Sequence, residues 1–205
     1  RGLGDVYKRQ GYKRADLITR DESRFAKLMH NTKYPIQIIW AGKPYPLDYP
    51  AISDFNYLVN LSKGYKNVAV CIGYELSLSK SLKQVADVWL NNPRVPREAS
   101  GTSGMTAAMN GALNVSTNDG WIREFIKDGE NGYIVPPVDY DHMTVQDQDQ
   151  YDMDQLFDIL EKKVIPMYYE KPDQWRGLIQ HGMKDVQVAF DSNRMAREYY
   201  EKLYL

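Results

Sequence analysis

The chain has 205 residues and a formal net charge of −1, with 43% hydrophobic and 26% charged residues. This composition is typical of a soluble globular domain with a core of its own. It gives no basic surface for nucleic acid, and the sequence has no signal peptide and no apolar run of membrane-spanning length. The one cysteine, Cys71, lies in an apolar run, so we expect a buried thiol, no disulfide framework and a cytoplasmic protein.

Residues 1–10 differ in character from the rest of the chain and look like a translated sequencing adapter. We therefore expect a non-native tail and exclude it from the predicted fold. A native but poorly ordered N-terminus is the alternative. With the tail excluded, the reading frame would be cut upstream.

Apolar runs and helical stripes alternate from residue 15 to residue 138. The predicted strands are residues 35–40, 68–72, 88–90, 113–116 and 133–135. The predicted helices between them are residues 15–30, 53–63, 76–85, about 104–110 and 121–126. This alternation predicts an α/β fold with a Rossmann-like parallel sheet and flanking helices. Ligands bind such sheets at the carboxyl ends of the strands, where the loops near Gly42, Tyr74 and Glu98 lie.

The last third of the chain has a different pattern. Residues 136–151 are polar and acidic and predict a solvated linker, because a calcium loop would need a central glycine and a terminal glutamate. Helices are predicted at 154–169, with an interruption near Pro166, at 172–190, and from a cap at Asp191 or Ser192 to about Leu203. The predicted division is a tail (1–10), a Rossmann-like core (11–138), an acidic linker (139–153) and C-terminal helices packed on the same domain (154–205).

A glycine-rich turn at residues 98–104 leads into the fourth predicted helix, with the sequence EASGTSG. Small residues before a helix let backbone N–H groups approach a ligand, and the helix dipole favours an anion there. Glu98 offers a carboxylate suited to sugar hydroxyls. On spacing alone, an ordinary loop with a helix cap from Ser100, Thr102 or Ser103 is the more common structure.

The string from Glu98 to Asn114 resembles the signature of the α-glucan phosphorylases, the glycogen, starch and maltodextrin enzymes, in their shorter bacterial form. Further matches are ADVWLNNP (86–93) before it, DGW (119–121) after it, and YKRA (12–15) and WAGK (40–43) upstream. The resemblance covers essentially the chain from residue 11 on. It implies the C-terminal half of a GT-B glycosyltransferase fold and reversible phosphorolysis of α-1,4-glucan to glucose 1-phosphate. The implied partners are α-1,4-glucan, phosphate and a missing N-terminal domain, without which this fragment is expected to be inactive.

The resemblance also implies a site. Its substrate-binding residues, which would hold the glucose hydroxyls, are Glu98, Ala99, Ser100 and Gly101. Its cofactor is pyridoxal phosphate, and the implied contacts are Lys13 to the 5′-phosphate, Tyr74 in the pocket wall, and the backbone of Gly101 and Thr102. Without the resemblance, Lys13 is typical of a solvated helix-start lysine and Tyr74 of an aromatic residue at a strand end.

Thr106 departs from the family pattern, which carries at this position the lysine that forms an imine with pyridoxal phosphate. Threonine has no amine, so we expect non-covalent and weaker cofactor binding, or a residue without a role. Sugar-nucleotide transferases of the same architecture often carry a second glutamate here, and Thr106 is not that residue either. Three functions stay open: a phosphorylase fragment, a sugar-nucleotide-dependent GT-B glycosyltransferase, and a non-catalytic glucan-binding relative. The three histidines are scattered and predict no metal site.

Overall fold

The computed structural model describes residues 2–7, 11–73 and 75–204. Six strands in this part of the chain form one parallel sheet in the order β3-β2-β1-β4-β5-β6. Their bounds are β1 (Gly2–Tyr7), β2 (Gln37–Gly42), β3 (Val68–Ile72), β4 (Ala86–Asn91), β5 (Leu113–Ser116) and β6 (Gly132–Ile134). The order reverses between β1 and β4, which places the crevice of a doubly wound sheet at the carboxyl ends of these two strands.

Nine α-helices flank the sheet within the same described residues. They are α1 (Glu22–Met29), α2 (Tyr49–Ser62), α3 (Leu76–Val85), α4 (Thr102–Met109), α5 (Ile122–Phe125), α6 (Val145–Ile159), α7 (Ile165–Glu170), α8 (Pro172–Phe190) and α9 (Ser192–Tyr199). The bounds of α3 and α8 are those predicted. The helix expected at 15–30 is instead a 3-10 turn (Leu17–Thr19) followed by α1, because the Asp21 side chain accepts a hydrogen bond from the Arg24 N–H and caps a new helix.

Residues 2–7 lie inside the sheet as β1, between β2 and β4. This corrects the expectation that residues 1–10 contribute nothing to the fold. The gap between β2 and β4 requires a strand whose N–H and C=O groups complete both ladders, and this requirement falls on the backbone rather than on particular side chains. The adapter-like origin of the segment stays a prediction.

The prediction of an acidic linker is wrong for residues 145–153, which form the first turns of α6. Thr144 and Asp147 close a capping box at its start. Asp149 and Asp152 are buried rather than solvated, because they face arginines across the domain. The sequence pattern does not indicate this burial, because the ion-pair partners of the two carboxylates lie far away in sequence.

The main core lies between the sheet and the helices, and its buried residues come from both ends of the chain. Leu58 of α2, Val115 of β5 and Leu156 of α6 are all fully buried in it. The central strands β4 and β5 are buried along most of their length, as expected for parallel strands covered on both faces. None of the helices in the described residues combines the length and apolar character needed to cross a membrane.

Candidate functional site

Two loops meet where the strand order reverses. The chain leaving β1 leads to Tyr12 and Lys13, and the chain leaving β4 leads through residues 92–97 to Glu98 and the turn into α4. Together with α3 they border a cavity of about 360 Å³. Its lining residues are Tyr12, Lys13, Ser79, Lys83, Glu98, Ala99, Ser100, Gly101, Thr102 and Ser103.

Hydrogen bonds join these two loops to each other. The Asn92 side-chain amide donates to the carbonyl oxygens of Lys13 at 3.0 Å and Arg14 at 2.6 Å. In return, the Arg14 Nε donates to the Asn92 carbonyl at 3.0 Å. The Arg94 N–H donates to the Tyr12 carbonyl at 2.7 Å. The backbone that carries Lys13 is therefore fixed against the loop that carries Glu98.

A buried ion-pair cluster lies behind the loops. Arg14 is 1% exposed, and its guanidinium contacts Asp149 at 2.9 Å and Asp152 at 2.7 Å. Asp149 also contacts Arg20 at 2.6 Å and Arg94 at 2.8 Å. Burial by itself raises the pKa of Asp149, but hydrogen bonds from the three arginines outweigh it and hold that pKa below its ordinary value. Helix α6 thus anchors both loops through charges that sequence reasoning had placed in a linker.

The turn after β5 holds the glycine-rich loop from its other side. The Asp119 carboxylate accepts a hydrogen bond from the Glu98 N–H at 2.8 Å, and the Trp121 N–H donates to the Ser100 carbonyl at 3.1 Å. Gly120 has φ +60°, and a Cβ there would lie 2.2 Å from the Ser100 carbonyl oxygen. This close approach fixes the loop backbone and requires glycine at position 120.

Gly101 is the N-cap residue of α4 and makes no side-chain hydrogen bond to the helix. The expectation that Ser100, Thr102 or Ser103 caps the helix with its side chain is therefore wrong. Gly101 has φ +128°, and a Cβ at this position would lie 2.7 Å from Trp121 Cδ1. The helix thus begins on a residue without a side chain, with its first turn bordering the cavity.

Two of the residues that line the cavity, Lys13 and Glu98, form an ion pair. The Lys13 Nζ lies 2.5 Å from the Glu98 Oε2, and the two side chains are 14% and 8% exposed. Burial, and next the charge and hydrogen bonding of the nearby Glu98 carboxylate, raise the pKa of the Tyr12 hydroxyl to about 12. Tyr12 therefore stays protonated at neutral pH.

Thr106 is not among the residues that line the cavity, whereas the predicted site residues Lys13 and 98–102 are. Its hydroxyl lies 3.0 Å from the Thr102 carbonyl oxygen and 3.1 Å from that of Ser103, in the preceding turn of its own helix. This back-bonding is a common use of a threonine within a helix. Tyr74 lies outside the described residues.

Besides Tyr12 and Ser103, which adjoin predicted site residues in sequence, the sequence prediction lacks two lining residues from another element, Ser79 and Lys83 of α3. They are four residues apart and so lie on one face of the helix that follows β3. That spacing is visible in the sequence, but it does not say which face of α3 points toward the cavity. The described residues hold no group of three or more His, Cys, Asp or Glu side chains arranged for a metal ion.

Comparison with known proteins finds relatives of named function, although no family model matches the chain. The chain is 38% identical over 196 residues to the maltodextrin phosphorylase of Thermococcus litoralis, covering 94% of this chain and 23% of that protein. It is 36% identical over 210 residues to the glycogen phosphorylase of Aquifex aeolicus, covering 98% of this chain and 30% of that protein. An uncharacterized protein of Methanocaldococcus jannaschii is 41% identical over 197 residues, covering 94% and 35%. The chain thus spans between 23% and 35% of these relatives.

Solved structures share the fold at low sequence identity. The Anabaena protein Alr3699/HepE in complex with UDP and glucose has a TM-score of 0.71 and 13% identity, covering 99% of this chain and 48% of that one. The catalytic domain of starch synthase IV from Arabidopsis thaliana, bound to ADP and acarbose, has a TM-score of 0.67 and 18% identity, covering 98% and 38%.

These neighbours are GT-B glycosyltransferases, so the predicted Rossmann-like fold of GT-B type is confirmed. The sequence identities extend over nearly the whole chain and confirm the predicted relationship as well. By sequence, the chain is similar over nearly its whole length to a part of the glycogen and maltodextrin phosphorylases.

Proposed function

We propose that the cavity is the sugar- and phosphate-binding part of an α-glucan phosphorylase active site. The proposed reaction is the reversible phosphorolysis of α-1,4-glucan to glucose 1-phosphate. The observation that carries the proposal is that Glu98 and the backbone of residues 99–103 border a cavity where the strand order reverses, with Lys13 beside them. The family relationship supports the same reaction.

Each lining group has a chemistry that suits this reaction. The Glu98 carboxylate and the polar backbone of Ala99, Ser100 and Gly101 would hold sugar hydroxyls, which both donate and accept hydrogen bonds. Lys13 and the first backbone amides of α4 would hold an anionic group, because positive charge and the helix dipole act in the same direction. The proposed partners are therefore α-1,4-glucan and phosphate, together with the remaining part of a GT-B enzyme.

The described residues do not fit pyridoxal phosphate joined by an imine at position 106, because Thr106 has no amine and its hydroxyl is engaged by its own helix. We propose that any bound cofactor is held non-covalently, by Lys13 and the backbone of Gly101 and Thr102 at its phosphate. When bound in this family, the cofactor supplies an acid/base phosphate group. Without the imine we expect weak retention.

A lysine at position 106 tests this cofactor proposal. Wild-type chain is mixed with pyridoxal phosphate and treated with borohydride, which would convert an imine at the cavity into a stable covalent bond. The wild-type chain is nevertheless expected to lose the cofactor on gel filtration. Thr106→Lys is expected to retain it covalently after the same treatment, as read by absorbance and by intact mass. Thr106→Met, similar in length but without an amine, is the control. Covalent retention at the cavity by the wild-type chain, or none by Thr106→Lys, would contradict the proposal.

A non-catalytic glucan-binding relative is the second candidate. The observation that favours it is Thr106 itself, since both the missing amine and the back-bonded hydroxyl leave position 106 without a group that faces the cavity. The cavity would then bind sugar through Glu98 without turnover.

Turnover distinguishes the two candidates. We expect residues 1–205 alone to release no glucose 1-phosphate from maltodextrin and phosphate, because the chain spans only part of its relatives. The assay therefore uses a chimera in which the matching region of the Aquifex aeolicus glycogen phosphorylase is replaced by residues 1–205, so that β1 is kept. Glucose 1-phosphate release, lowered about tenfold or more by Glu98→Gln, supports the phosphorylase.

A folded chimera that binds maltodextrin but releases no glucose 1-phosphate, even with Thr106→Lys and added cofactor, would favour the non-catalytic relative. Binding of UDP-glucose or ADP-glucose to residues 1–205, without binding of phosphate, would instead favour a sugar-nucleotide-dependent transferase.

A further inference from the structure

The Lys13–Glu98 ion pair joins two groups with different ligand preferences. An ammonium group favours anions, whereas a carboxylate accepts hydrogen bonds from hydroxyl groups. Both groups line the same cavity and lie 2.5 Å apart. While the pair is closed, each charge is directed at the other rather than at a ligand.

The Lys13–Glu98 ion pair differs from a surface ion pair in its burial. Both side chains are largely buried, so water screens the pair less than it would an exposed one. The charged residues that line the described cavity are Lys13, Lys83 and Glu98. Glu98 is thus the carboxylate that opposes an incoming anion.

The backbone on both sides of the pair is fixed. The Lys13 carbonyl accepts a hydrogen bond from Asn92, and the Glu98 N–H donates to Asp119. Opening the pair therefore requires rotation of two flexible side chains and leaves the loops in place. The structure shows the closed arrangement, and an open arrangement of the two side chains would keep the same backbone around the cavity.

We propose that this ion pair couples the binding of phosphate to the binding of the neutral sugar. The first ligand to bind must open the pair, and the second then meets a partner that is already released. The coupling is positive and, by linkage, equal in both directions. This inference rests on the proposed function, because it takes phosphate and glucose as the two ligands. It concerns the chain without cofactor, since a bound cofactor's phosphate would occupy Lys13 itself.

The test is calorimetric titration of the whole 205-residue chain with inorganic phosphate, with and without saturating glucose. In the wild type, glucose is expected to tighten phosphate binding by about fivefold or more, within the usual range of coupling between sites. Glu98→Gln keeps the shape but removes the charge that opposes the anion. Phosphate is expected to bind this variant more tightly than the wild type without glucose, with the effect of glucose lost.

Lys83→Gln is the matched control, since it removes a cavity cation outside the ion pair. It is expected to weaken phosphate binding similarly with and without glucose, so the coupling remains. Circular dichroism and thermal unfolding confirm that each variant is folded. Glu98→Asp, which retains the charge, is titrated in the same way as a second variant of this residue.

The outcomes separate this inference from the proposed function. If phosphate and glucose both bind but neither affects the other, or if Lys83→Gln abolishes the coupling, the inference is overturned and the proposed function stands. If neither ligand binds the wild type or Glu98→Gln, both fall. If phosphate binds Glu98→Gln but not the wild type, the result supports the inference that the Glu98 carboxylate opposes the binding of an anion.

Discussion

Single glycines decide the shape of the loop that carries Glu98. Gly101 lies in the predicted glycine-rich turn, and its positive φ and the close approach of the Trp121 side chain both favour glycine there. In the sequence, Gly120 stands out only as part of the DGW match. Its importance depends on the Ser100 carbonyl, which lies 20 residues away in sequence and which only the folded structure brings next to it.

Gly120→Ala is expected to destabilise the chain by about 2 kcal/mol or more, because an alanine at positive φ is strained and its Cβ would overlap the Ser100 carbonyl oxygen. Urea unfolding measures the change. Gly177→Ala in α8 is the control, since nothing lies within 4 Å of the added methyl group. That control is expected to stabilise the chain by about 0.5–1 kcal/mol, and equal effects of the two variants would contradict the argument.

At the scale of elements, helix α6 links the C-terminal part of the chain to the site. Its Asp149 and Asp152 hold Arg14, whose neighbour Lys13 lines the cavity. The acidic residues recur three apart beside apolar Met153 and Leu156, a helical spacing that the sequence did contain. The high density of acids hid this pattern, since charged residues are buried only when partners neutralise them.

Asp149→Asn is expected to cost about 3 kcal/mol of unfolding free energy at pH 7, because it leaves three arginines facing a neutral amide. The folded-state pKa of Asp149 lies below its ordinary value, so its contribution is complete above about pH 4 and disappears as the pH falls through the folded pKa. Denaturant unfolding of both proteins between pH 7 and pH 3 measures this, and the difference should shrink on acidification.

The control for this pH series is Asp158→Asn, on the same helix. Asp158 pairs with Arg24 and Lys162, but its side chain is 38% exposed. Its replacement is expected to change the unfolding free energy by at most about 1 kcal/mol. A loss at Asp149 no larger than that at Asp158, or one that is independent of pH, would show that the buried cluster does not hold α6 to the loops.

At the scale of the whole molecule, β1 joins two parts of the sheet. On one side lie β2 and β3, and on the other lie β4, β5 and β6. Without β1, both β2 and β4 would present unpaired N–H and C=O groups in the middle of the fold. The site lies at the carboxyl ends of β1 and β4, so the integrity of the sheet also sets the distance between Lys13 and Glu98.

Deletion of residues 1–10 is therefore expected to prevent cooperative folding of the remaining chain. The measurement is a comparison of residues 1–205 and 11–205 by thermal unfolding and by amide hydrogen exchange in β2 and β4. Replacing residues 2–7 with an unrelated strand-forming sequence should restore folding, because the ladders need a backbone there. An equally stable 11–205 protein would show that β1 contributes nothing to the sheet.

The sequence by itself determined the alternation of strands and helices, the bounds of α3 and α8, and the resemblance of residues 98–114 to a phosphorylase signature. These features depend on local periodicity and on short strings, which the order of residues records directly. Tertiary structure decided that Lys13 meets Glu98 and that Asp149 is buried against three arginines. It also decided that Gly101 is the N-cap residue of α4. Each of these depends on groups far apart in the chain, which only the packing of the sheet brings within reach.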